Sequence, residues 1–199
     1  MGEVIFQSWP IIVGYLLGSI SFSYIVGKKV AGIDIREHGS KNAGATNTLR
    51  VLGKGPALLV LLLDALKGSL AVFIAMAFST FEWVIVLTGL AAVIGHNWPL
   101  FYGFRGGKGI ATAIGAMFTL VPVSFVITLV FGLITLFVFR YVSLASLVGA
   151  TVLPLVMIYL KEPIPYLVGA LIITTLAFVR HRSNIVRLIN GNENKIGKL

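Results

Sequence analysis

Two glycine-rich segments combine residue types that could bind phosphate, and the first is residues 32–55, GIDIREHGSKNAGATNTLRVLGKG. Its core, residues 38–50, places small Gly, Ala, Ser, Thr and Asn residues around Lys41 and Arg50. Small residues let backbone amides approach an anion closely, while hydroxyl and amide side chains donate hydrogen bonds to it. The composition therefore predicts a phosphate cradle, with an ordinary polar loop as the alternative.

The second segment is residues 95–112, GHNWPLFYGFRGGKGIAT, in which GGKG stands directly before an apolar run. Glycines, a lysine and a helix start supply amide donors, a point charge and the positive end of a helix dipole. The segment is not a Walker A loop, because Gly103 is one residue too close to Gly107 and Gly109 replaces the magnesium-binding Ser or Thr. A glycine turn with its cations reaching toward lipid headgroups is the alternative.

A third polar cluster follows the last apolar segment, in the sequence VRHRSNIVRLINGNENKIGKL. Arg180, His181, Arg182 and Asn184 stand at the membrane boundary, and the apolar residues after them predict a short interfacial helix that ends near Gly191. A basic flank that contacts anionic lipid would explain the arginines. It would leave His181 and Asn184 without a role.

The titratable residues give no sign of a metal or redox centre. His38, His96 and His181 have neither a second histidine at ligand spacing nor a paired acid. The absence of cysteine excludes disulfides, thiolate nucleophiles and cysteine-ligated metals. We therefore expect no metal and no cofactor.

The elements that position these clusters must be membrane helices. Of the 199 residues, 57% are hydrophobic and 12% are charged, against roughly 25% charged in soluble domains. A span needs about 20 apolar residues, and charge, Pro and Gly clusters divide the chain into seven such segments. They are residues 9–27, 56–80, 83–101, 110–121, 122–139, 141–160 and 164–179. The fourth is short, so residues 110–139 are expected to form a tight helical pair hinged at Pro122, with a re-entrant first limb as the alternative.

The basic residues set the orientation of this seven-helix transmembrane bundle. Alternating spans leave only Lys161 on one side and place fourteen cations on the other: Lys28, Lys29, Arg36, Lys41, Arg50, Lys54, Arg105, Lys108, Arg140, Arg180, Arg182, Arg187, Lys195 and Lys198. The positive-inside rule then predicts an N-terminus outside and a cytoplasmic C-terminus. Residues 1–199 read as a single all-α domain, and the net charge of +9 favours anionic lipid or a phosphorylated substrate over nucleic acid.

Polar residues inside the spans have structural explanations. Asp64 and Lys67 lie three residues apart on one helix face, so a mutual ion pair is expected. Ser19, Ser21 and Ser23 in the first span are expected to pack at a helix contact.

Three stretches together, GSKNAGATNTLR (39–50), FRGGKGIAT (104–112) and RHRSNIVRLINGNENKI (180–196), resemble the signatures of the bacterial acyl-phosphate:glycerol-3-phosphate acyltransferase family. The resemblance implies a monomeric multi-pass enzyme of the bacterial inner membrane with its active site toward the cytoplasm. It implies transfer of an acyl group from acyl phosphate to position 1 of glycerol 3-phosphate, which gives lysophosphatidic acid and phosphate at the start of phospholipid synthesis.

The resemblance also implies roles for individual residues. Catalytic roles fall to Ser40, Arg50, Lys108, His181 and Asn184. Substrate-binding roles fall to Lys41, Asn42, Thr46, Asn47, Gly106, Gly107, Gly109 and Arg182, and Glu193 is expected to be structural. Lys41 and Ala43 stand where many relatives carry Gly and Ile, which affects substrate preference and leaves the reaction unchanged.

The chemistry of a mixed anhydride fits these residues. The leaving group departs as phosphate, so the enzyme needs charge neutralisation and alignment more than a strong acid or a covalent nucleophile. A substrate phosphate is expected to take the hydroxyl proton while His181 binds or orients, because neighbouring cations weaken His181 as a base. Gly14, Gly18 and the serines of the first span are candidates for the floor of an acyl-chain groove.

Two further observations separate this hypothesis from its rivals. Acyltransferases of the soluble type place an Asp five residues after a His, but Ala43, Phe101 and Val186 stand at those positions, which argues against acyl-CoA as donor. An anion transporter is the main alternative, because basic glycine-rich loops can also line a permeation path. Transport needs polar residues at mid-membrane, where Asp64 and Lys67 are the charged candidates.

Overall fold

The computed structural model describes residues 2–197, with only the backbone given for residues 2 and 4, so Met1, Lys198 and Leu199 lie outside it. The described residues form α-helices and two short 3-10 helices, Ile35–Glu37 and Leu100–Tyr102, with no strand among them. The α-helices are α1 Gly2–Phe6, α2 Trp9–Gly18, α3 Phe22–Ala31, α4 Ala45–Leu52, α5 Lys54–Phe78, α6 Glu82–Asn97, α7 Ile110–Leu120, α8 Pro122–Phe139, α9 Val142–Tyr159, α10 Ile164–Arg180 and α11 Arg182–Ile189. The predicted all-helical class is confirmed.

Within residues 2–197, five helical segments are long and apolar enough to cross a bilayer: Trp9–Ala31, Lys54–Phe78, Glu82–Tyr102, Pro122–Phe139 and Val142–Tyr159. A sixth candidate is α10 with α11, which bend by 61° at their junction. The 11 residues of α7 extend only about 16 Å, against a hydrocarbon core of about 30 Å. The count of seven spans therefore remains a prediction.

The chain divides into two compact units, Met1–Leu120 and Val121–Leu199. The first contains α1 to α7 and both glycine-rich segments, and the second contains α8 to α11 and the polar tail. Each unit is described by itself below.

The first span is broken, in contrast to the uninterrupted helix predicted for residues 9–27. α2 ends at Gly18 and α3 begins at Phe22. The carbonyl oxygen of Ile20 in the break accepts a 2.7 Å hydrogen bond from Lys67 Nζ on α5. Lys67 Nζ also lies 2.8 Å from Asp64 Oδ1, so the predicted ion pair is present and extends to the backbone of the break.

Glycines allow close helix contacts in the first unit. A Cβ at Gly14 would lie 2.9 Å from Thr88 Cγ2, and one at Gly18 would collide with the backbone of Ala92 on α6. The expectation that these glycines form the floor of an acyl groove is wrong, because the α6 backbone occupies that space. Ser19, Ser21 and Ser23 are buried, in line with the packing role predicted for them.

The second unit is held by polar contacts between its apolar helices. Thr174 Oγ1 on α10 donates to the carbonyl oxygen of Ala150 on α9 at 2.6 Å. Ser124 Oγ on α8 donates to Glu162 Oε1 at 2.6 Å. The tail after α11 returns to the end of α8, where the amide of Ile196 donates to the carbonyl oxygen of Arg140 at 2.8 Å.

Candidate active site

Asn47 organises the first glycine-rich segment. Its Nδ2 donates to the carbonyl oxygens of Ile35 at 2.9 Å and His38 at 3.0 Å, and its Oδ1 accepts the amide of Ser40 at 2.7 Å. The side chain is buried, and these protein partners use both ends of its amide. Asn47 thereby fixes the shape of the turn that carries Ser40.

The predicted cation and hydroxyl of this segment stand at its surface. Ser40 and Lys41 are exposed, and Lys41 adopts a left-handed backbone with φ of 60°. That conformation costs a non-glycine residue roughly 1–2 kcal/mol. Thr46 and Arg50 lie on α4, although the sequence indicated a loop throughout.

The two glycine-rich segments meet at Gly107. A Cβ at this residue would collide with the Nε2 atom of His96 and with the carbonyl oxygen of Ala43. The amide of Gly107 donates to the carbonyl oxygen of His96 at 3.1 Å. Only glycine fits between these groups, so the contact places the GGKG turn, and Lys108 with it, beside the first segment.

Arg36 joins the same segments at a second point. Its NH1 donates to the carbonyl oxygen of Tyr102 at 2.8 Å, and its guanidinium lies 4.9 Å from the centroid of the Tyr24 ring. Asp34 fixes the guanidinium through contacts of 3.0 Å from Nε to Oδ1 and 2.8 Å from NH2 to Oδ2. The hydrogen bonds from Arg36 and the positive charges of Arg36 and Lys28 outweigh burial, which alone would raise the pKa, and they lower the pKa of Asp34 from 3.8 to about 2.

Residues behind the GGKG turn carry buried polar atoms. Asn97, the last residue of α6, is fully buried, and neither its Nδ2 nor its Oδ1 has a hydrogen-bond partner in the described part of the chain. Its Oδ1 would lie 2.7 Å from a Cβ at Gly109, where φ is +81°. Glycine is thus required at position 109 both by the backbone conformation and by the space that Asn97 fills.

In the second unit, His181 occupies the corner between α10 and α11. Its Nδ1 lies 2.8 Å from the carbonyl oxygen of Ala177, and because a carbonyl oxygen only accepts, Nδ1 is the donor. The amide of Asn184 donates to the carbonyl oxygen of His181 at 2.8 Å. Both side chains are buried, whereas Arg182 is exposed.

Glu193 fixes Asn184 from the tail. Glu193 Oε1 accepts Asn184 Nδ2 at 2.6 Å and Ser143 Oγ at 2.9 Å, and Oε2 accepts Arg187 Nε at 2.7 Å. Burial raises the pKa of Glu193, but the three hydrogen bonds and the positive charge of Arg187 outweigh burial, and the net shift is downward. The carboxylate therefore stays ionised and holds the Asn184 amide in one orientation.

An apolar cavity of about 400 Å³, widely open to the surface, lies in the second unit. Its lining comes from α9, α10 and α11 and consists of Leu144, Leu147, Val148, Thr151, Val152, Phe178, Ile185, Leu188 and Ile189. Ile185 follows Asn184 directly in α11. Across residues 2–197, no three His, Asp or Glu side chains group in a way that could hold a metal ion.

A family model described as glycerol-3-phosphate acyltransferase matches residues 9–191. The chain belongs to the glycerol-3-phosphate acyltransferase family. The glycerol-3-phosphate acyltransferase of Halalkalibacterium halodurans is 50% identical over 197 residues, which are 96% of this chain and 96% of the relative. That of Shouchella clausii is 48% identical over 194 residues, which are 94% of this chain and 95% of the relative.

Solved structures of the family agree with the fold. A crystal structure of PlsY, an integral membrane glycerol 3-phosphate acyltransferase, in its glycerol 3-phosphate form has a TM-score of 0.91 at 42% identity and covers 96% of each chain. Its lysophosphatidic acid form has a TM-score of 0.87 at 42% identity, over 96% of this chain and 95% of that one. The predicted enzyme class is confirmed, and so is the expectation of an integral membrane protein: this protein is an integral membrane acyltransferase.

Three residues of this acyltransferase make contacts to the predicted site segments that were not predicted from its sequence: Arg36 and His96 in the first unit, and Ser143 in the second. Arg36 was counted only as a cytoplasmic cation, His96 only as a metal ligand to be excluded, and Ser143 only as part of a span. Each is defined by a partner far away in the sequence, Tyr102, Gly107 and Glu193 respectively. The one local signal for His96 is its position directly after a glycine at the end of an apolar segment.

Proposed function

We propose that the protein transfers a fatty acyl group from acyl phosphate to the 1-hydroxyl of glycerol 3-phosphate. The hydroxyl oxygen forms the new ester bond to the acyl carbon, and the bond from that carbon to the phosphate oxygen breaks. The products are lysophosphatidic acid and inorganic phosphate. The hydroxyl proton passes to a substrate phosphate, so proton and charge balance without a cofactor.

The contact at Gly107 carries the proposal. It brings the segment with Ser40, Lys41 and Arg50 beside the segment with Lys108, as a site for phosphate groups requires. Each phosphate bears roughly −1.5 to −2 charges at neutral pH, by analogy with phosphorylated side chains. Further support comes from the relative PlsY, whose structures are of a glycerol 3-phosphate form and a lysophosphatidic acid form.

The proposed roles follow from charge and hydrogen-bonding capacity. Lys41, Arg50, Lys108 and Arg182 hold the phosphates, and Ser40, Asn42 and Thr46 donate hydrogen bonds with the amides of Gly106 and Gly109. Gly107, whose amide donates to His96, acts through the close approach that it allows. Asn47 acts through the shape of the loop. His181 orients substrate, and Asn184, held by Glu193, donates to the oxyanion that develops on the acyl carbonyl. Good alignment alone can supply about 7–11 kcal/mol.

The apolar cavity of the second unit is proposed to hold the acyl chain. Its volume of about 400 Å³ falls within the roughly 300–1,000 Å³ of ligand pockets. Val148→Trp is expected to fill part of it and shift donor preference toward shorter acyl chains. An unchanged chain-length profile would exclude this cavity as the acyl site.

In the decisive assay, purified protein in detergent is mixed with labelled glycerol 3-phosphate and with either palmitoyl phosphate or palmitoyl-CoA. A metal chelator is present throughout. We expect labelled lysophosphatidic acid only with palmitoyl phosphate. Arg50→Gln is expected to lower kcat/KM by about 100-fold, whereas Lys54→Gln, a matched change at an exposed residue four positions on, should not. Product from palmitoyl-CoA at an equal rate would reject the proposed donor.

We further propose that the protein lies in the bacterial inner membrane and acts as a monomer in contact with membrane lipid. In the proposed topology it has seven spans, its N-terminus lies outside and its active site faces the cytoplasm. The distribution of Lys and Arg along the sequence supports this orientation. Since the chain has no cysteine, single cysteines can report sidedness directly. In intact cells an impermeant maleimide should label Lys161→Cys and leave Lys195→Cys unlabelled, and the reverse pattern would invert the topology.

A further inference from the structure

His96 stands between a buried charge pair and the GGKG turn. It lies in the last turn of α6 with 7% of its surface exposed, and its Nδ1 is 3.5 Å from Asp64 Oδ1 on α5. Asp64 and Lys67 are 1% and 3% exposed. The carboxylate thus has two partners, and the imidazole is the one that reaches toward the turn.

The opposite edge of the ring contacts the glycine-rich segments. Nε2 of His96 faces Gly107 so closely that a Cβ there would collide with it, and the carbonyl oxygen of Ala43 borders the same point. The carbonyl oxygen of His96 accepts the Gly107 amide at 3.1 Å. One residue therefore fixes Gly107 through both its ring and its backbone.

A purely structural ion pair would not need this third member. Lys67 by itself lies 2.8 Å from the Asp64 carboxylate, which offsets the cost of burying each charge in a span. The same carboxylate oxygen lies 3.5 Å from Nδ1 of His96, which is longer than a short hydrogen bond, and it places a negative charge beside this edge of the ring. That charge favours the ring orientation in which Nδ1 faces Asp64. Fixing Nδ1 determines where Nε2 points.

We propose that His96 is a positioning residue for phosphate binding: Asp64 orients its ring, and the Nε2 edge sets the place of Gly107 and so of Lys108 beside Ala43. This role rests on the function proposed above. It assigns to Asp64 a task beyond neutralising Lys67, and it links the α5 helix to the phosphate-binding turn.

The test measures binding without turnover, using glycerol 3-phosphate and a non-hydrolysable palmitoyl phosphonate as calorimetric probes of the full-length protein. His96→Asn keeps a polar atom near Nδ1 but removes the Nε2 edge. Lys108→Gln identifies which of the two probes Lys108 binds, and we expect His96→Asn to raise the Kd for that same probe by about tenfold. His96→Gln places an amide near the Nε2 position and should stay within about threefold of the native Kd. Asp64→Leu with Lys67→Met, which removes the orienting carboxylate without leaving a buried charge, should resemble His96→Asn.

Thr88→Val is the matched control. Thr88 is a buried polar residue two turns before His96 in α6, and its Oγ1 donates only within the helix, to the carbonyl oxygen of Val84. It should lower Tm slightly and leave both Kd values unchanged. If His96→Asn lowers Tm while both Kd values stay within about twofold of native, the positioning role is refuted. Failure of the native protein to form lysophosphatidic acid would instead refute the proposed reaction, and the binding result would still decide the role of His96.

Discussion

Arg36 NH1 donates a 2.8 Å hydrogen bond to the carbonyl oxygen of Tyr102, 66 residues away in the sequence. The Tyr24 and Tyr102 rings, with centroids 4.9 Å apart, pack beside it. This contact and the contact at Gly107 are two independent links between the glycine-rich segments. Two links resist rotation of one segment against the other better than a single link does.

Arg36→Lys should weaken the first link. Lysine cannot contact both Asp34 oxygens and the Tyr102 carbonyl with the planar geometry of a guanidinium. We expect a loss of about 1–3 kcal/mol in stability and a lower kcat/KM, measured by thermal unfolding in detergent and by the acyl-transfer assay. Lys28→Arg, a change at an exposed cation nearby, should have neither effect, and equal loss in both variants would mean that the Arg36 hydrogen bond to Tyr102 is not the cause.

Gly107→Ala should disrupt the second link. The added methyl group meets His96 and the Ala43 carbonyl oxygen, so the turn must shift. A shift of about 1 Å can reduce activity by about 100-fold, which the acyl-transfer assay would detect. Gly55→Ala is the control, because nothing lies within 4 Å of a Cβ there. Native activity in Gly107→Ala would contradict the close contact seen at this residue.

Most helix boundaries could be predicted from sequence, because they depend on local signals. Pro122 begins α8 and Arg140, with φ of 64°, follows its last residue, Phe139. The break in the first span was missed because its cause is not local: the Ile20 carbonyl oxygen is satisfied by Lys67, 47 residues later. α4 was missed because residues 45–52 are rich in Thr and Asn, which are typical of turns.

In the candidate site, too, the local features could be predicted from sequence and the long-range contacts could not. Glycines, hydroxyls and cations within 13 residues of each other already predict a phosphate cradle by composition. Partner choice does not follow from composition, so the bonds of Asn47 to Ile35 and His38, and of Ser143 to Glu193, could be found only in three dimensions.

The pH dependence of the Asp34 link has a defined sign. Its pKa falls on folding from 3.8 to about 2, so the ionised carboxylate stabilises the fold above pH 3.8, and this contribution is lost as pH falls toward 2. The Tm difference between the native protein and Asp34→Asn should therefore be constant between neutral pH and about pH 5 and should shrink below pH 4. A Tm difference that stays constant from neutral pH down to about pH 3 would mean that folding leaves the pKa of Asp34 unchanged.

Glu193→Gln should disable the second unit's polar network. An amide nitrogen in place of one carboxylate oxygen would face a donor from Asn184, Ser143 or Arg187, which leaves a donor unpaired at a cost of about 1–3 kcal/mol. Activity should fall with stability because the Asn184 amide loses its fixed orientation. Glu162→Gln is a matched control: Glu162 accepts a single hydrogen bond, from Ser124, which glutamine can also accept. Parallel losses in both variants would indicate a general sensitivity to lost carboxylates.

The hydrogen bond from Lys67 to Ile20 has a consequence for how the chain enters the bilayer. A carbonyl oxygen left bare in hydrocarbon is costly, so we expect the broken first segment to reach its final state only once the second lies beside it. The two segments are thus insertion partners, released to lipid together. A nascent chain with residues 1–53 outside the ribosome should be extracted from membranes by alkaline carbonate, whereas one with residues 1–81 outside the ribosome should resist extraction.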